Sequence, residues 1–99
     1  MGLNICLIEL LGRDANDFLI MKDRDDLFDS IRECGDKDFV YDNDWEYIGE
    51  PGYAGYLQRP KSMDGALGWI ATNDCNKERL NGLIKLLETH SNYYLHISH

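Results

Sequence analysis

Basic side chains are scarce in this sequence: ten lysines and arginines stand against eighteen aspartates and glutamates, a formal net charge of −8. That shortage argues against direct binding of free nucleic acid, because phosphate contacts need a basic patch. Catalytic signatures are missing too. The chain has no phosphate-binding glycine loop, no G-x-S-x-G and no H-E-x-x-H, so a small hydrolase is the weakest of the functional readings. Cysteine is limited to Cys6, Cys34 and Cys75, an odd number without C-x-x-C spacing. These read as reduced thiols, neither a disulfide framework nor a zinc site. Long apolar runs are absent: nothing approaches the ~20 residues of a membrane span. The start lacks the basic segment and long apolar core of a signal peptide. Cys6 also stands where an acylation signal wants Ser or Thr. A cytoplasmic protein without membrane contact is expected.

Metal chemistry finds little support. Asp36, Asp38, Asp42 and Asp44 suggest a calcium loop, but counting from Asp36 puts Val40, Tyr41 and Tyr47 where an acid, Gly and Glu are required. His90, His96 and His99 fall in the last ten residues and read as solvated side chains. Neither a metal nor a cofactor is expected.

What is present is a single domain, residues 1–99, with 43% hydrophobic residues and eleven aromatics, enough to bury a core. Its charge is lopsided. Residues 1–50 hold fourteen acids and five bases, whereas residues 51–99 hold four and five. An acidic half beside a near-neutral half gives a directional field that attracts cationic partners.

The stretch 38–48 (DFVYDNDWEYI) is the most informative. Phe39, Tyr41, Trp45 and Tyr47 alternate with Asp38, Asp42, Asp44 and Glu46, and a period of two predicts an extended strand or hairpin with an aromatic face and a carboxylate face. Before it, Asp23 as N-cap, an apolar face of Leu27, Phe28 and Ile31, and Gly35 as C′ residue predict a helix. On that helix Asp25, Asp29 and Glu33 would stack as an acidic ridge. Residues 3–10 (LNICLIEL) suit a strand near the middle of a sheet, residues 12–17 a turn, and residues 18–21 a returning strand.

Further on, residues 53–57 predict a strand that ends at Arg59-Pro60. Ser62 then caps a short helix with Met63, Ala66, Leu67 and Ile70 as its core face and Lys61, Gly65, Gly68 and Thr72 opposite. Two glycines in one short helix cost about 1 kcal/mol each, so either another backbone or a ligand should approach there. Residues 75–90 are the clearest helix, with Leu80, Leu83, Ile84 and Leu87 inward, and residues 93–98 form a final strand. About five strands and three helices without regular alternation predict an α+β domain, a mostly antiparallel sheet with helices on one face. An exposed final strand could pair edge to edge in a homodimer.

The opening Met1-Gly2-Leu3-Asn4-Ile5 and Arg59-Pro60 followed by Trp69 resemble features of short phage and prophage accessory proteins. The resemblance implies a setting in which compact acidic inhibitors of host defence are frequent, and transfers no catalytic residue.

The leading expectation is therefore a non-catalytic acidic protein that blocks a basic, nucleic-acid-binding site on a partner protein, in the manner of anti-CRISPR or immunity proteins. Asp25, Asp29, Glu33, Asp38, Asp42, Asp44 and Glu46 would supply the charge, with Tyr53 and Tyr56 as anchors. The alternative is a binder of a small signalling nucleotide, using Arg59, Lys61 and the Gly65/Gly68 face.

Overall fold

The computed structural model describes residues 4–31, 34–48 and 55–98, with side chains over 5–31, 36–47 and 57–97. Glu33 and Tyr53 lie outside the described residues, as does the side chain of Tyr56. The elements run β1 (Asn4–Arg13), β2 (Leu19–Asp23), α1 (Cys34–Asp42), β3 (Trp45–Ile48), β4 (Gly55–Pro60), α2 (Met63–Thr72), α3 (Lys77–Thr89) and β5 (Tyr93–Ser98). The strands form one antiparallel sheet in the order β2-β1-β5-β4-β3, and the fold is α+β. None of the described helices is long and apolar enough to cross a membrane.

Alternation along β1 sends Ile5 and Leu7 into the main core, where they meet Leu95, Phe39, Trp45 and the inner residues of the helices. The other face of the sheet holds a smaller buried cluster of Ile8, Leu19 and Leu57. Two features close the β1–β2 hairpin. Gly12 at φ +142° follows a bulge after Leu10, a conformation closed to most side chains. Asp14 then accepts the backbone N–H groups of Asn16 and Phe18 at 2.8 and 3.0 Å.

β5 is the middle strand, between β1 and β4. It therefore has no free edge for pairing a second copy, contrary to the expectation from the sequence. Among the described residues the edge strands are β2 and β3.

The helix expected from Asp23 onward does not form over the described residues. Arg24 to Phe28 make one turn, with the N–H groups of Leu27 and Phe28 reaching the Arg24 carbonyl. The chain then returns to β1, where the Ile31 N–H donates to the Ile5 carbonyl at 2.9 Å. Competition decides this. The Arg79 guanidinium takes the carbonyls of Asp29 and Ser30, acceptors that a continuing helix would use itself, and lies over the Phe28 ring. Stacked like charges at Asp25 and Asp29 would have weakened the helix further.

The second departure lies in residues 38–48. Residues 34–42 are helical, because burial follows Asp36, Phe39 and Val40 at i, i+3, i+4 and not every second residue. The Asn43 side-chain amide donates to the Phe39 carbonyl at 2.8 Å and ends the helix, so only Trp45–Ile48 is a strand. Phe39 meets Trp45 and Trp69 edge to face, each at a centroid distance of 5.5 Å. Asp36 is buried and accepts the Asn76 N–H at 3.0 Å, which ties α1 to the start of α3.

Helices α2 and α3 follow the expected pattern more closely. Ser62 caps α2 by accepting the Gly65 N–H at 3.0 Å. Its inner face is rotated toward Ala66, Trp69 and Ile70, and Leu67 is exposed. In α3 all of Leu80, Leu83, Ile84 and Leu87 are buried, and the N-cap is Asn76. Both helix C-termini end on cations. Lys77 donates to the carbonyls of Ile70, Ala71 and Asn73. Arg59 donates to those of Leu87, His90 and Tyr93.

Leu83→Ala should cost about 2–5 kcal/mol by opening a cavity among packed side chains. A urea midpoint equal to that of the native chain would place Leu83 at the surface.

On the face away from the helices, His96 stands between Cys6 and Leu57, and its Nε2 is buried without a hydrogen-bond partner among the described residues. Burial pushes its pKa down, against a smaller opposing pull from Asp23. The folded state thus prefers neutral imidazole, while the unfolded chain takes up a proton near pH 6.5. Stability should fall as pH drops below that value, toward the lower folded pKa. His96→Leu should flatten the loss between pH 7.5 and 5.5 in urea titrations. Parallel curves for the two proteins would show that His96 is not the group responsible.

Candidate functional site

The α1–β3 corner gathers the candidate residues. Phe39 and Val40 anchor α1 inward, so the outward positions of the same helix present Asp38, Tyr41 and Asp42 to solvent. Asp44 and Glu46 follow, both exposed. Five acids and one base fall between residues 36 and 47. Among the described residues, none of Asp38, Asp42, Asp44 or Glu46 enters an ion pair. Asp42 does accept a hydrogen bond from the Trp69 indole N–H at 3.4 Å.

Two clefts flank this corner. The larger, about 470 Å³, is lined by Val40, Tyr41, Tyr47, Gln58 and Ile97. Tyr41 and Tyr47 are each 63% exposed, although the alternating pattern had assigned both to the core. Register puts Tyr47 beside Gln58. Gln58 is 1% exposed, and its side-chain Nε2 is buried with no hydrogen-bond partner among the described residues. The smaller cleft, about 210 Å³, lies between Asp42, Asn43 and Asp44 on one side and Ser62, Gly65 and Ala66 on the other.

The carboxylates named from the sequence therefore do not form one row. Asp42 and Asp44 share the smaller cleft, and Asp38 lies outward on α1. Glu46 is paired in register with Arg59, and alternation along β3 sends its side chain to the opposite sheet face from Tyr47. Asp25 and Asp29 are exposed on the segment that follows edge strand β2 and are not part of α1.

The four residues named for a small ligand are also dispersed. Arg59 is committed to three backbone carbonyls. Lys61 is exposed, with its backbone N–H on the Asp44 carbonyl at 3.0 Å. Gly65 lines the smaller cleft, and a Cβ there would meet only Ser62 side-chain atoms, at 3.3 and 3.4 Å. A Cβ at Gly68 would meet nothing within 4 Å. Among the described residues no other backbone approaches either glycine, so of the two alternatives expected there the backbone one is not met.

Tyr41, Tyr47 and Gln58 are what the sequence reading missed as a site. A helical count from Asp36 would have freed Tyr41. Nothing local to residues 57–60 announces that the glutamine is buried.

Chemically the corner offers aromatic faces, an amide donor and carboxylates. Among the described residues no three His, Cys, Asp or Glu side chains converge as metal ligands. Cys75 is poorly placed as a nucleophile, since burial pushes its thiol pKa up and Asp36 and Asp74 add to this, against a pull from Lys77. Comparison with protein-family models, with curated proteins and with solved structures gives no match.

The two aromatic classes at this corner should separate in urea unfolding. Phe39→Ala should cost about 3–5 kcal/mol, whereas Tyr41→Ala should stay within about 0.5 kcal/mol. Equal losses would return Tyr41 to the core.

Proposed function

We propose that this chain is a non-catalytic binding protein whose α1–β3 corner occupies a basic site on a partner protein. A nucleic-acid-binding groove is the fitting target, so the action is competitive blocking of the anti-CRISPR or immunity-protein kind, in the cytoplasm. The observation that carries this is the corner itself. Exposed carboxylates at Asp38, Asp42 and Asp44, without ion pairs among the described residues, share this corner with two exposed tyrosines, and Glu46 adds a further carboxylate on the opposite sheet face. Such acids make the local potential more negative and steer cationic surfaces toward it. Tyrosines supply broad contact area at low entropic cost, which suits an interface anchor. The resemblance to small phage accessory proteins agrees with such a role. The free thiols of Cys6 and Cys75 fit a reducing compartment.

Sequestration of a signalling nucleotide is the second reading, and its support is the 470 Å³ cleft. None of its described lining residues is cationic, however, and the arginine that a phosphate would recruit is already engaged with carbonyls.

The test uses lysate capture at two salt concentrations, with bound material analysed for protein and nucleotide, followed by kinetics on the purified partner. A basic protein should be retained at low salt and released as exposed charges are screened beyond about 8 Å. Reversing Asp38, Asp42 and Asp44 to lysine should slow association about tenfold or more, with little change in folding. A triple variant that binds as fast as the native chain would end this proposal.

A further inference from the structure

The tyrosine cleft combines features that a solvated surface does not require. Its wall includes Gln58, almost wholly buried, whose amide nitrogen has no hydrogen-bond partner among the described residues. A buried donor left unsatisfied is destabilising, a penalty that an acceptor removes once the Gln58 amide turns toward the cleft. Val40 and Ile97 line the cleft as apolar surface, and Tyr41 and Tyr47 add ring faces. Its volume falls within the roughly 300–1,000 Å³ of ligand sites. Asp38 stands beside Tyr41 on the exposed side of α1, and none of the described lining residues is cationic, so the electrostatics favour a cation over an anion.

We infer that this cleft seats a single arginine of the partner: its guanidinium and stem lie against Tyr41 and Tyr47, and its main-chain carbonyl accepts a hydrogen bond from the Gln58 amide. This deepens the function proposed above and rests on the partner's being cationic there. Arginine fits better than lysine because a planar, weakly hydrated guanidinium stacks on aromatic rings and leaves water at lower cost. The carbonyl follows from donor counting. Guanidinium carries donors only, so the orphan Gln58 N–H must look to the peptide backbone for an acceptor. Asp38, one turn before Asp42 on α1, lies next to Tyr41 around the helix and adds attraction at the rim. A single anchored side chain of this kind should bind at about millimolar Kd by itself and act as the central contact within a larger interface.

The experiment titrates the 15N-labelled full chain with acetyl-Gly-Arg-Gly amide and, separately, with the neutral citrulline counterpart. The side-chain amide signals of Gln58 and the resonances of Tyr41 and Tyr47 should shift saturably with the arginine peptide. The citrulline peptide should bind about tenfold more weakly. Gln58→Leu should remain folded, with an equal or higher urea midpoint because the orphan donor is gone, yet lose about fivefold or more in peptide affinity. Shifts confined to Asp38, Asp42 and Asp44, with Gln58 and the tyrosines unmoved, would overturn the cleft assignment while leaving the acidic-surface function standing. Equal binding of both peptides would overturn the commitment to a cation, and the absence of any shift up to about ten times the expected Kd would overturn the site altogether. A charge-reversed triple variant that still captures the partner, alongside an intact Gln58 response, would instead count against the acidic surface and spare the cleft.

Discussion

The Arg59 guanidinium is the interaction on which most of the architecture converges. It leaves β4, reaches the last carbonyls of α3 and meets the Tyr93 carbonyl at the start of β5. One side chain thereby fixes a strand, a helix end and the entry to the central strand. Lys77 closes α2 in the same manner, and Arg79 holds the segment 29–30. Cations at helix C-termini satisfy orphan carbonyls and complement the dipole. In a chain with only ten bases, this use has an electrostatic consequence. Cations engaged by backbone carbonyls are not available to neutralise surface carboxylates, so the acidic excess stays concentrated on the first half of the chain.

The site inherits its geometry from the core beneath it. Phe39 wedged between Trp45 and Trp69 fixes the rotation of α1, and that rotation selects Tyr41 and Asp38 for solvent. Asn43 ends the helix on the Phe39 carbonyl and turns the chain into β3, bringing Tyr47 alongside Gln58. Neither tyrosine therefore depends on its own burial for its position. A surface built in this way can change side chains at its rim while its scaffold is left alone.

The sequence disclosed most where burial alone decided structure. The four inward residues of α3, the Ser62 cap and the apolar first strand were legible, because each depends on a single period or a single side-chain oxygen near in sequence. It misled where two periods fitted one stretch. Residues 38–48 satisfy an alternation of two as well as the i, i+3, i+4 set of Asp36, Phe39 and Val40. The deciding contacts, to Trp69 and Asn76, come from about thirty to forty residues away. The helix expected from Asp23 failed for a comparable reason, since its competitor for carbonyls, Arg79, lies fifty residues further on. Gln58 was illegible as a buried group because its burial is a property of the assembled sheet.

The position of β5 has a bearing on how the molecule comes into being. The last strand in sequence is the middle one in space, and it pairs with the first, Asn4 opposite Ser98. Until it is in place, the sheet exists only as two separate hairpins, β1–β2 and β3–β4, and isolated two-stranded hairpins are marginal in water. Synthesis on a ribosome releases that strand after all the others. The acidic corner is thus translated and exposed well before the sheet that carries it can close. Closure then brings β5 beside β1, a non-local step of the kind that slows folding, and the net negative charge helps keep the waiting hairpins from associating with those of other chains.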